Sequence, residues 1–211
     1  MAKIRSTSTE EKAKKKEHIK ACALTLYQKS GELCSVDKIV KKSGVAKGTF
    51  YLYFKTKEEV FLDILSDMYA VYLEDVFKGI DLNKVTLESL ADSLVKPLVG
   101  NSDFLRLASI GPGILEKNVS EEKIIEFKLM LMQAMQKMGE VFLQLSPRLK
   151  PEKVSEMIVV SFSLIIGIFQ QSDISGELKK LSEKPEIKDL FIDFEKITSR
   201  SLVALWKGWI I

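Results

Sequence analysis

The chain has 211 residues, 46% of them hydrophobic, with two cysteines, one histidine and a net charge of +3. That length supports a sizeable core, and the composition excludes a disulfide scaffold and a polar disordered chain. Charge is unevenly placed: residues 1–60 hold 14 Lys and Arg against 7 Asp and Glu, and the remainder 18 against 22. A basic first segment on a slightly acidic body fits a reader of polyanions, although lysine-rich helices that are simply solvated would give the same count.

Met1 to Thr7 contains Lys3 and Arg5 and is expected to be a mobile basic arm, since termini are commonly disordered, with an arm trailing along a DNA groove as the alternative. Residues 1–20 are charged and lack an apolar signal-peptide core, so a cytoplasmic protein is expected. Ser8 and Glu11 form a capping box that opens a helix to about Lys29. Ile19, Cys22, Ala23, Leu26 and Tyr27 make its buried stripe. Lys12, Lys14, Lys15 and Lys16 precede that stripe, as either a solvated helix end or a weak phosphate attractor. Cys22 and Cys34 lack metal-ligand spacing and are read as reduced, buried residues, with a redox pair as the alternative. No metal, cofactor or catalytic group is expected, and the lone His18 sits among charges.

The stretch SVDKIVKKSGVAKGTFYLYFKTK, Ser35 to Lys57, carries the most information. Ser35 is placed to cap a helix over Val36–Lys42 whose apolar face is Val36, Ile39 and Val40. Gly44 supplies the left-handed residue that closes it, and Val45 pins the turn. A second helix, about Ala46–Tyr53, starts basic and ends aromatic. Phe50 and Phe54, four apart, are assigned to the core, and Tyr51 lies a quarter-turn away with its hydroxyl free for a phosphate. Thr56 and Glu59 form a capping box for the next helix, with Lys57 in its first turn, a favourable phosphate position. Helix, glycine turn, helix is the plan in which the second helix enters the DNA major groove.

The segment VAKGTFYLYFKTKEEVF resembles the recognition-helix signature of TetR-family transcriptional regulators, within a resemblance that spans about Thr9 to Leu65. The resemblance implies that Lys47, Gly48, Thr49 and Tyr51 face DNA and that Lys57 contacts phosphate. Ser35 and Tyr53 complete the set of DNA-binding residues expected. Two positions depart from the family: Leu52, where many members carry histidine, and Ala46, where serine is frequent as the helix cap. Lys41 and Lys42 rank lower, as ordinary partners of a helix C-terminus.

The helix capped by Thr56 is expected to run to about Lys78 along Val60, Phe61, Ile64, Leu65, Met68 and Tyr72. Further helices are predicted over Thr86–Val99, Ser102–Ile110, from Ser120 along Ile124, Leu131, Met135, Met138 and Phe142, over Pro151–Gln171, and over Glu186–Trp209 with Pro185 in the first turn. The apolar run Met157–Phe169 has 13 residues, short of the ~20 of a membrane span. The resemblance implies that the last two helices pair with their copies in a four-helix dimer interface. Ser161, Ser163 and Gly167 either allow close helix approach or belong to a core.

The fold expected is all-α: an N-terminal three-helix helix-turn-helix DNA-binding domain, 1–56, followed by a helical effector-binding and dimerisation domain, 57–211. Met68, Tyr69, Phe104, Met130, Met132, Phe162 and Phe169 are candidates to line an effector pocket, with ordinary core packing as the alternative. The function expected is a ligand-responsive transcriptional regulator, a repressor by family habit. It would bind a palindromic DNA operator as a homodimer and be released by a small, largely apolar effector. The alternative is an architectural, nucleoid-associated DNA-binding protein without a ligand. An enzyme is not expected, nor an association with membrane.

Overall fold

A computed structural model describes residues 2–174 and 176–210, with the side chains of residues 2–8 and 177 outside that description. Among the described residues every regular element is helical. In order these are α1 (Ala2–Ser30), α2 (Val36–Ser43), α3 (Lys47–Tyr51), α4 (Lys57–Lys78), α5 (Leu87–Val95), α6 (Ser102–Ile110), α7 (Glu121–Leu145), α8 (Pro151–Ser172), α9 (Gly176–Leu181) and α10 (Phe194–Ile210). Short 3-10 turns occupy Lys96–Leu98, Leu115–Asn118 and Lys188–Leu190.

The chain forms two compact units, residues 1–68 with 110–127, and residues 69–109 with 128–211. The boundary expected at 56/57 falls at the start of α4. The units part within that helix, and the first takes in the start of α7 as well.

In the first unit α4 buries Val60, Phe61, Leu62, Ile64 and Leu65. Also buried are Ile19, Ala23 and Tyr27 of α1, Ile39 of α2, and Phe50 and Phe54. Tyr27 meets Phe61 at 5.7 Å between ring centroids. Charges close the edge of this core. Asp63, with 11% side-chain exposure, binds Lys16 of α1 and Lys123 of α7, and Lys20 binds Asp67 and Glu17.

Helix α1 begins at Ala2, not at Ser8, and so replaces the basic arm expected there; Met1 lies outside the described residues. No glycine or proline stands between Ala2 and Ser8, so each added residue continues an existing hydrogen-bonded helix at low cost.

In the second unit α10 packs on α5 and α8. Trp206 is completely buried, and its Nε1 donates to Ser161 Oγ at 2.8 Å, whose own hydroxyl donates to Met157 O at 2.6 Å. Arg106 of α6 makes a two-pronged pair with Asp173 at the end of α8, at 2.6 and 2.7 Å. The last long helix starts at Phe194, eight residues beyond the expected Glu186. Asp193 Oδ1 accepts from Lys196 N at 3.0 Å and caps it, while Pro185 stands in a turn before a 3-10 segment. Helix α5 stops at Val95, where the chain tightens to a 3-10 turn carrying Pro97.

Helix α8 is, by length and composition, apolar enough to cross a membrane. One regular stripe of it is buried: Val154, Met157, Ser161, Ile165 and Phe169. Val159 and Val160 remain exposed at 53% and 39%.

Candidate functional site

The helix-turn-helix is assembled from local signals. Ser35 adopts an extended backbone, and its Oγ accepts from Lys38 N at 3.4 Å, opening α2. Gly44 has φ 68°, in the left-handed region where a Cβ is strained, and its N–H closes α2 on Val40 O at 3.0 Å. Helix α3 is shorter than the expected Ala46–Tyr53. Ala46 has no side chain with which to cap it, so only backbone begins the helix, and Leu52 ends it.

Phe50 and Phe54 anchor this short helix, at 0% and 1% exposure, with ring centroids 5.9 Å apart. Burying them fixes which residues point outward. Lys47, Gly48, Tyr51 and Leu52 are exposed, and Thr49 and Tyr53 are half-buried beside them. A Cβ added at Gly48 would meet nothing within 4 Å, so packing inside the chain does not require that glycine. Its lack of a side chain leaves room outside, for whatever approaches the helix. Leu52, 81% exposed, has no internal role either.

Lys47 Nζ donates to Asp37 Oδ1 at 2.8 Å, a pair linking the first turns of α2 and α3. That hydrogen bond, reinforced by the carboxylate's charge, raises the Lys47 ammonium above the ordinary lysine range. Lys57 begins α4 half-exposed, with Glu58 Oε1 3.9 Å from its Nζ. Thr56 Oγ1 accepts from Glu59 N at 3.1 Å and donates to Asn118 O at 2.9 Å. Glu59 reaches back one residue further than expected, to Lys55 N at 2.7 Å. His18 Nε2 lies 3.0 Å from Ser43 O, tying α1 to the end of α2, a contact that no sequence pattern announced.

The second unit holds a partly open apolar cavity of about 260 Å³. Tyr69, Tyr72 and Leu73 of α4, Leu131, Ala134, Met135, Met138 and Phe142 of α7, and Ile158, Phe162 and Ile165 of α8 form most of its wall. Among the described residues none of the lining side chains is charged. Its polar atoms are largely committed: Tyr72 OH donates to Leu94 O at 3.0 Å, and Ser161 Oγ serves Trp206. Burial pushes the Tyr72 phenol upward, so it stays neutral.

Of the residues considered for a pocket, Tyr69 and Phe162 line this cavity. Phe104 is completely buried, edge-on to Tyr69 at 4.8 Å. Met130 lines a separate groove with Phe77 and Lys137, and Phe169 a cleft with Asp173 and Asp193. Met132 is 53% exposed, and Met68 is half-buried in the first unit.

Two family profiles match in succession. That of bacterial regulatory proteins of the tetR family covers residues 23–64, and that of the tetracyclin repressor-like C-terminal domain covers residues 66–211. The chain belongs to the TetR family. TetR-family regulators are transcription factors that bind DNA, so the helix-turn-helix described above is the DNA-binding part of a transcriptional regulator. The fatty acid metabolism regulator protein of Bacillus subtilis (strain 168) is 38% identical over 56 residues, which is 26% of this chain and 29% of that relative. The fold also recurs in solved structures. A tetR-family regulatory protein from Rhodococcus RHA1 has a TM-score of 0.63 at 15% identity, covering 93% of this chain and 97% of its own. The fatty acid degradation regulator FadR from Bacillus halodurans has a TM-score of 0.58 at 18% identity, covering 90% and 93%.

Proposed function

We propose that this TetR-family protein is a ligand-responsive repressor. It binds a palindromic operator as a homodimer and lets go when a small, largely apolar effector enters the second unit. The observation that carries the reading is the uncharged cavity of about 260 Å³ walled by aromatic and aliphatic side chains. Apolar walls with committed polar atoms favour a hydrocarbon and penalise a buried charge. The names of two relatives, both regulators of fatty acid metabolism or degradation, suggest an acyl chain as that hydrocarbon.

On the DNA side, Lys47 and its exposed neighbour Gly48 meet base edges in the major groove, with Thr49, Tyr51 and Lys57 on the flanking phosphates and Ser35 and Tyr53 beside them. The first compact unit, which holds the helix-turn-helix and Lys57, carries this reading, and the second unit the effector and the dimer contact. Val160 and Gly167 on α8 and Ala204 and Gly208 on α10 are exposed and offer a face for pairing. Small residues there permit close helix approach. Two copies double the contacts of one short helix and match half-sites about one DNA turn (~34 Å) apart or somewhat more. Effector binding favours a conformation with lower operator affinity, and the linkage is reciprocal.

The test is anisotropy of a labelled operator duplex titrated with saturated fatty acids and their coenzyme A esters of increasing chain length. Release that sharpens with chain length supports the reading. Retention of operator with every chain length contradicts it.

A further inference from the structure

Asp37 is the only carboxylate among residues 33–57, a stretch that otherwise carries six lysines. A lone negative charge on a face that meets a polyanion costs affinity unless something on DNA other than phosphate receives it. An acidic residue in the first turn of α2 favours the helix dipole, but that accounts for its charge and not for its partner. The partner is Lys47, at 2.8 Å, with both side chains well exposed. The two groups therefore present a donor and an acceptor side by side at the start of the recognition helix.

Base-pair edges differ in how they meet such a pair. Across the major groove a G·C pair shows two adjacent acceptors, guanine N7 and O6, then the cytosine N4 amine as donor. The ammonium of Lys47 has three protons: one held by Asp37 leaves two for N7 and O6. Asp37 keeps lone pairs for the cytosine amine. An A·T pair answers poorly. With the carboxylate on adenine N6 it lies beside the N7 lone pair, and the ammonium on thymine O4 lies beside the methyl group.

We propose that Asp37 and Lys47 together read one G·C base pair in each half-site, with Asp37 as the specificity-determining member. On unrelated duplex the phosphates draw Lys47 away and leave Asp37 facing negative charge, so Asp37 weakens non-specific binding. This inference rests on the reading of α3 as the DNA-facing helix.

The experiment compares the wild-type protein with Asp37→Ala and Asp37→Asn, at one fixed salt concentration, by selection from a random duplex pool. It is followed by titration of the best site with the G·C pair changed to each other pair. The wild type is expected to discriminate by about tenfold at that one position in each half-site. Asp37→Ala is expected to lose that preference alone, Asp37→Asn to weaken it while keeping an acceptor for the cytosine amine, and both to keep the rest of the consensus and bind unrelated duplex more tightly than the wild type. A wild-type consensus left unchanged by both substitutions overturns this inference and leaves the DNA reading standing. Variants that are folded by circular dichroism yet bind no duplex also overturn it, since removing a carboxylate should not abolish attraction to phosphate. A wild-type chain that enriches no sequence removes the DNA reading, and this inference with it.

Discussion

The two units use the same element, the helix, in opposite senses. In the first, Phe50 and Phe54 are turned inward so that their neighbours Lys47, Gly48 and Tyr51 stand outside, on a surface. In the second, the aromatic and aliphatic faces of α4, α7 and α8 turn toward one another and leave a cavity inside. Polar contacts follow the same division. The first unit is bounded by lysine–carboxylate pairs at Asp63 and Asp67, and the wall of the cavity holds no charge among the described residues. An outward-facing site depends on where a few short elements start and stop. An inward-facing one depends on how long helices fill space.

The sharpest way to break this contrast is Phe50→Ala. Truncating a completely buried phenylalanine costs about 3–5 kcal/mol, and here the loss falls on the element that presents the reading face. Hydrogen exchange is expected to accelerate at the amides of α2 and α3 while those of α8 and α10 stay protected, and operator binding is lost. Equal acceleration in both units would mean that they do not differ in local stability.

Ala134→Phe probes the other side. It fills the cavity wall and is expected to lower affinity for an acyl effector by at least about tenfold while the operator affinity of the free protein is kept. Isothermal titration with dodecanoate reads the first and anisotropy the second. If operator affinity falls as much as effector affinity, the cavity is only a packing defect of the core.

Asp63→Asn removes one nearly buried carboxylate from two lysines, Lys16 and Lys123. Both lysines are about a third exposed, so screening reduces the cost to about 1–2 kcal/mol, read as a lowered midpoint in urea. A larger loss would make the ion pairs, rather than the aromatic core, the main support of the first unit.

The smallest effect is expected at Glu88, which joins α5 to α10 through Lys207 at 3.1 Å. Its own backbone hydrogen bond and then Lys207 hold its carboxyl below the ordinary range. A depressed carboxylate stabilises the fold above its unfolded pKa, and that contribution fades as pH falls through the folded value. Glu88→Gln should therefore differ slightly from the wild type near neutral pH, and the difference should vanish in acid. A difference that grows in acid would reverse the sign of this linkage.

How much of each unit could be read from the residues follows from the same contrast. The helix-turn-helix was legible because its signals are local. The caps of Ser35, Gly44 and Thr56 act within four residues of themselves, Phe50 and Phe54 share one helix face, and each stands where its chemistry required. The cavity was half legible. The stripe Leu131, Met135, Met138 and Phe142 is an i, i+4, i+7, i+11 pattern, and it forms the α7 wall. Met130 and Met132 lie about 100° to either side of Leu131, so one reaches a different groove and the other the solvent. Residue type suggested them, and helical phase excludes them. Illegible were the contacts between distant segments: Asp63 with Lys123, Thr56 with Asn118, His18 with Ser43. No periodicity encodes a pair 25 or 60 residues apart. The start of α10 was misread: Pro185 drew the expected start to Glu186, whereas Asp193 caps the helix that begins at Phe194.

Operator recognition as proposed requires an exposed recognition helix that engages duplex DNA in two symmetric copies. Selection from a random duplex pool, repeated with Lys57→Ala over a range of salt concentrations, tests it most directly. The wild type should enrich an inverted repeat, and the variant should bind every sequence more weakly with a salt slope shallower by about 1 per protomer. An enriched site without two-fold symmetry, or a pool that emerges as random as it entered, would contradict it.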